Sequence, residues 1–87
     1  MRAILSVVGE DRVGILSEVS SVCKIYKANI VDVSQTVLQG FFTMIMLVEM
    51  ENTDFDKFVD YIQDFGSKNQ LKIHAMHEDI FTAMHTI

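Results

Sequence analysis

At 87 residues the chain has the length of one domain, with room for a modest core that a partner could usefully enlarge. Seven basic against twelve acidic residues leave a net charge of −5, and without a run of Lys or Arg there is no phosphate-tracking surface, which argues against nucleic acid. Cys23 is the single cysteine, so an internal disulfide, a paired-cysteine metal site and a thiol couple are excluded and a reducing cytoplasm fits; the short apolar start does not read as a signal peptide, and no stretch approaches the roughly 20 apolar residues that cross a bilayer, so no membrane is expected.

Residues 3 to 8, Ala3-Ile4-Leu5-Ser6-Val7-Val8, are apolar apart from Ser6 and rich in branched side chains, as in a central strand covered on both faces. The turn GEDRVG follows. Leu16, Val19, Val22 or Cys23, and Tyr26 then recur at spacings of three and four, the mark of an amphipathic helix. Ala28-Asn29 is expected to close it, because Asn tolerates the left-handed conformation of a helix end. From Ile30 to Gln39 the period becomes two, with Val31, Val33 and Val37 on one face and Asp32, Ser34 and Thr36 on the other, which predicts a half-wet strand interrupted on its apolar side by Gln35.

Gln39-Gly40 reads as a tight hairpin turn into a strand, Phe41 to Met50, apolar on both faces. Thr53 or Asn52 can cap the next helix, whose stripe is Phe55, Phe58, Val59, Ile62 and Phe65, with Gly66 marking its end or a kink. A last strand runs from Leu71 to about His77.

Strand, helix, strand, strand, helix, strand is the split βαβ order. It predicts an α+β fold, a ferredoxin-like βαββαβ sandwich with a four-stranded antiparallel sheet, both helices on one face, and a short C-terminal extension. The other face should then meet water, although the third strand is apolar on both sides. The cover is expected from the segment carrying Ile80, Phe81, Met84 and Ile87, which has the spacing of a short helix, from a symmetric dimer, or from both.

The turn GEDRVG joins the first strand to the N-terminus of the first helix, and two readings of it are open. Unpaired helix amides attract a carboxylate, Gly9 and Gly14 allow close backbone approach, and Asp11 or Glu10 can receive an ammonium, so the loop suits a zwitterion. Alternatively Asp11 caps the helix, Gly9 ends the strand, and Glu10 and Arg12 are solvated turn residues.

The run Asp11-Arg12-Val13-Gly14-Ile15-Leu16, with Lys27-Ala28-Asn29-Ile30 opening the second strand, resembles the ACT domain, a small regulatory module that binds amino acids. The likeness covers the whole chain. Its closing stretch, His77-Glu78-Asp79-Ile80-Phe81 with Ala83-Met84-His85, is similar to that of stand-alone single-domain ACT proteins, mostly bacterial and archaeal. The resemblance implies a homodimer with an amino-acid effector between subunits, held by the loop after the first strand and the residues that begin the second, and no cofactor. Carried over, Gly14 with Asp11, Arg12, Val13, Ile15 and Leu16 matches the loop that approaches the ligand, and Asn29, beside Ile30, matches the polar residue offered by the other subunit. Asp11 keeps an acceptor for ammonium. Gly9 stands where serine-binding relatives place a polar side chain, so that contact is lost, and Val13 replaces their common proline. Asn29 equally suits a helix end that needs no ligand.

Rival functions are weighed against these residues. An acylphosphatase-like hydrolase of the same fold class would grip phosphate through its first loop and an arginine; Arg12 is so placed, but Glu10 and Asp11 would repel the anion. Heavy-metal carriers need a second cysteine. No nucleophile and base lie near each other in the sequence, so no catalysis is expected. His74, His77 and His85 with Glu78 and Asp79 have no established metal-ligand spacing, and His74 and His77, three apart on a strand, point to opposite faces. Cys23 and the methionines, including Met46 and Met50, read first as core. An assembly module without a small ligand is the alternative to a sensor, which would act through a separate enzyme or regulator.

Overall fold

The structure, a computed structural model, describes residues 1–51 and 54–84. The elements in chain order are β1 (Arg2–Glu10), α1 (Ile15–Ile25), β2 (Asn29–Leu38), β3 (Phe41–Glu49), α2 (Phe55–Lys68), β4 (Leu71–His77) and α3 (Glu78–Met84). They form one antiparallel sheet of strand order β2-β3-β1-β4, the expected ferredoxin-like arrangement.

Alternation along the strands sends Ala3, Leu5 and Val7 of β1 and Phe42, Met44, Met46 and Val48 of β3 into the core, where they meet Ile15, Val19 and Cys23 of α1 and Phe58 and Ile62 of α2. Met46 and Met50 are core residues. Burial pushes the Cys23 thiol up to about 11, so it stays protonated and unreactive at neutral pH. Gln39 and Gly40 both have positive φ, 51° and 84°, the conformation that matches a two-residue turn to the strand twist.

Local details depart from the sequence reading. The inward residue of the first helical turn is Ile15, and Leu16 lies outside; the helix enters one residue earlier than its apolar spacing implied. The left-handed residue after α1 is Lys27, at φ 56°, and Asn29 already belongs to β2. The Lys27 N–H donates to the Lys24 carbonyl at 3.1 Å and the Ala28 N–H to that of Cys23 at 2.8 Å, a closure that satisfies the last carbonyls without Asn. In β2, Ile30 pairs with Val48 and Asp32 with Leu47, so Val31 is the extra residue of a bulge and does not share its face with Val33 in simple alternation. Gly66 neither ends nor kinks α2, which continues to Lys68. A Cβ there would stand 2.8 Å from the Leu71 carbonyl oxygen, so this glycine lets α2 lie close on β4. The expected caps Asn52 and Thr53 lie outside the described residues.

The face of the sheet away from α1 and α2 is only partly covered. Helix α3 turns back beside β1 and β4, and Glu78 pairs with Arg2 at 3.6 Å. At that end Ile4 is 9% exposed, whereas Val8 at the other end of β1 is 42% exposed. No residue of α3 is buried, so the expected cover reaches one end and leaves the rest open; Ile87 lies outside the described residues. Contrary to the expectation for β1, its second face therefore stays exposed towards Val8.

Candidate functional site

Glu10 ends β1, and residues 11–14 carry the chain to α1. Gly14 supplies the N-cap of α1 at φ 92°, a conformation glycine adopts without strain. Its carbonyl accepts the first helical bond, from Glu18 N–H at 2.9 Å. Asp11, three residues before that cap, does not cap the helix, and the first-turn amides receive no side-chain cap. Instead the Asp11 N–H donates to the Gly40 carbonyl at 2.8 Å, which fastens the loop to the β2–β3 turn and leaves its exposed carboxylate free of that duty.

Arg12 bends back over the helix start. Its guanidinium pairs with Glu18 through both Nη atoms, and Nη2 also donates to the Asn69 carbonyl at 3.5 Å. The bond to Glu18 raises its already high pKa. With its charge matched inside the chain, Arg12 is poorly placed to grip a phosphate. Val13 is the loop tip, 98% exposed, while Ile15 is a core residue. Gly9 has a packing role: an added Cβ would meet Leu71 Cδ2 at 2.7 Å and the Gln70 carbonyl oxygen at 3.2 Å. Thus the start of β4 occupies the space that a polar side chain at position 9 would need.

The structure brings Glu10, Asp11 and Arg12 together with two residues that the sequence did not mark, Asn69 and Gln70. These five line an open cleft of about 300 Å³ on the β4 side of the loop. The Asn69 side chain donates to the Phe65 carbonyl at 2.8 Å, ending α2, and Gln70 turns into β4 at φ 60°. A polar pair after an amphipathic helix was the available signal, but only the fold shows that it faces the first loop.

Asn29 and Ile30 lie elsewhere. Asn29 pairs with Glu49, as does Arg2, whereas Glu10 pairs with Phe41. The loop and Asn29 are therefore at opposite ends of the sheet, about 26 Å apart at about 3.3 Å per residue. Within one chain the two halves of the expected site cannot touch the same small molecule. His74 and His77 oppose Ser6 and Ala3 respectively and so face opposite sides of the sheet; the His77 Nδ1 accepts from the Asp79 N–H at 3.1 Å, and His85 lies outside the described residues.

Residues 2–76 match the ACT domain family. The chain belongs to the ACT domain family. An uncharacterised protein of the UPF0237 group from Clostridium perfringens is 43% identical over 89 residues, covering 100% of both chains. A UPF0237 protein of Methanosarcina acetivorans is 44% identical over 88 residues, covering 99% of this chain and 96% of its own. Among solved structures, an ACT domain protein from Streptococcus pneumoniae is 36% identical, with a TM-score of 0.83 over 100% of this chain and 97% of that one. These relatives are single ACT domains of about this size, and the ACT domain is typically a regulatory, ligand-binding module. Among the described residues no helix is long and apolar enough to cross a membrane.

Proposed function

We propose that this ACT domain is a homodimeric, non-catalytic sensor that holds an amino acid between the loop 9–16 of one subunit and Asn29 and Ile30 of the other, and passes its occupancy to a separate enzyme or regulator in the cytoplasm. The observation that carries the reading is the separation of those two halves in one chain, together with the character of the strand that spans it. β2 is an edge strand with a long apolar content left exposed, including Val31, Val37 and Leu38, and an unpaired edge of that kind is a template for another strand. Antiparallel pairing of β2 with its copy about a two-fold axis sets each Asn29 beside the other subunit's Leu38. That end of β2 adjoins the Gly40 carbonyl to which Asp11 is tied, so each two-fold dimer assembles two complete sites.

At such a site the uncapped first-turn amides of α1 suit the ligand carboxylate, and Asp11 suits its ammonium. Asn29 supplies a neutral donor and acceptor from across the interface. Gly9 offers no side chain, so serine is not favoured over other amino acids on that account. Coupling to a partner requires different affinities for two subunit arrangements, which a ligand shared by both subunits can provide.

The test is a thermal-unfolding screen against the twenty amino acids at millimolar concentration. A ligand at one hundred times its Kd stabilises the native state by about 2.7 kcal/mol, a rise of about 10 °C or more in a domain of this size. Asp11→Ala and Asn29→Ala should each remove about 1–3 kcal/mol of that binding while leaving the unliganded midpoint nearly unchanged. No shift with any amino acid would favour the alternative, an assembly module in which the loop only turns the chain.

A further inference from the structure

We propose that the free edge of β4 takes up an extended acidic segment of another protein as a fifth strand of the sheet. The contact gives the chemistry of the partner to which a sensor must report, and it rests on that reading only for there being such a partner. β2 and β4 are the two edges of the sheet, and the dimer proposed above uses β2.

The backbone shows which groups β4 leaves open. Met1 and Met50 exchange two hydrogen bonds of 2.9 Å, and the Asp11 N–H donates to the Gly40 carbonyl, so Ala3, Leu5, Val7 and Gly9 of β1 bond to β3. Ile4, Ser6 and Val8 therefore turn their N–H and C=O groups to β4, where they meet Met76, His74 and Lys72. Between these, Ile73 and Ala75 point their N–H and C=O groups out of the sheet, and neither finds a hydrogen-bond partner there among the described residues. β4 has no bulge against β1 and no proline, two of the devices that blunt an edge. Helix α3 leaves β4 towards β1, where Glu78 pairs with Arg2, rather than across this edge.

The side chains beside the edge define what a fifth strand must carry. A groove of about 240 Å³ between α2 and β4 is lined by Gln63, Ser67, Leu71, Lys72, Ile73 and His74. It contains no carboxylate, although the chain has twelve acidic against seven basic residues and the clefts beside Arg12, Tyr61 and Asp32 each contain one or two. Lys72 is exposed and makes no ion pair among the described residues. Alternation puts Lys72 and His74 on the open face of the sheet and Ile73 and Ala75 on the core side. An added antiparallel strand thus sets carboxylates opposite Lys72 and His74, and branched apolar side chains opposite Ile73 and Ala75, beside Gln63 and Ser67. A second copy fits less well. Pairing through Ile73 and Ala75 brings Lys72, His74 or Met76 of the copy's β4 opposite Lys72, and none of these is acidic. Lys72 both discourages that self-pairing and selects the acidic partner.

Fluorescence anisotropy of the whole protein with a labelled peptide in which glutamate and valine alternate tests this. The titration contains no amino-acid effector, so its outcome is separate from that of the thermal screen. Binding should saturate below about 1 mM. The Ile73 and Ala75 amides should exchange fast in the free protein and become protected on binding, whereas those of Lys72 and His74 should be slow throughout. Replacing the glutamates by lysine, or Lys72→Glu, should each weaken binding about fivefold or more, and the two changes together should return it to within about threefold of the original pair. Ala75→Pro removes an outward N–H and no bond to β1, so it should keep the unfolding midpoint within a few degrees and abolish saturation. N-methylation of the peptide's valines should do the same with the wild-type protein. No saturation by about 1 mM, binding unchanged by N-methylation or by Lys72→Glu, or a folded Ala75→Pro variant that binds as the wild type would overturn the proposal. So would Ile73 and Ala75 amides already protected in the free protein, the sign of a β4 edge paired with its own copy.

Discussion

Phe58→Ala should lower the free energy of unfolding by about 3–5 kcal/mol, the cost of emptying a large buried aromatic site. Phe58 is 0% exposed and lies between the sheet and α1, with its ring 5.7 Å from that of Tyr26. No polar group stands ready to fill the void, and both neighbours are fixed by their own elements, so collapse around the cavity is limited. For a domain whose whole stability is about 5–15 kcal/mol, this leaves a marginal protein. The midpoint should drop by about 15–30 °C. Urea unfolding followed by circular dichroism measures it; a loss below about 1 kcal/mol would show that α2 does not seat on the sheet as described.

Gly66→Val should cost about 3 kcal/mol, although valine is a better helix former than glycine. The opposing terms can be separated. Propensity favours the substitution by a few tenths of a kcal/mol, but the new Cβ would stand 2.8 Å from the Leu71 carbonyl oxygen and 3.0 Å from Ile73 Cγ1, and the strand backbone cannot rotate away as a side chain can. The end of α2 must lift from β4, which also displaces Asn69 and Gln70 and with them the cleft beside Arg12. A denaturant midpoint at or above the wild-type value would mean that α2 and β4 are further apart than this packing requires.

The sequence made the element order legible because each period is carried by many residues at once. Phe55, Phe58, Ile62 and Phe65 repeat a helical stripe that no single exception can hide, and Gln39-Gly40 announces its turn because both positions adopt positive φ. Details resting on one residue were harder to read. Ile15 and Leu16 are both apolar, and only the entry angle set by Gly14 decides which points inward. Asn29 is the commoner left-handed residue, yet Lys27 holds that place because α1 ends early enough for β2 to start at Asn29. The bulge at Val31 leaves no mark in a run of β-branched residues.

Of the candidate site, the loop was legible and its surroundings were not. Glycines around Asp11 announce a backbone that must turn, but the contact of Asp11 with Gly40 and of Arg12 with Asn69 spans distant positions that no local pattern links. Gly9 looked like a lost ligand contact and is a close-packing position against β4. Asn29 was assigned to the site, as a residue of the other subunit, through family likeness alone; its place at the far end of the sheet from the loop within one chain was not legible in the sequence.

Mixing the two site variants tests that assignment most directly. In a shared site, Asp11→Ala and Asn29→Ala dimers each lack one half everywhere, but a mixed dimer has one site in which the intact loop of one chain faces the intact Asn29 of the other. After unfolding and refolding an equimolar mixture, about half the dimers are mixed and about a quarter of all sites are whole. Calorimetric titration with the amino acid selected by the thermal screen should then recover about a quarter of the wild-type capacity at wild-type affinity, while each variant alone binds weakly. A mixture that binds no better than its parents would contradict the shared site.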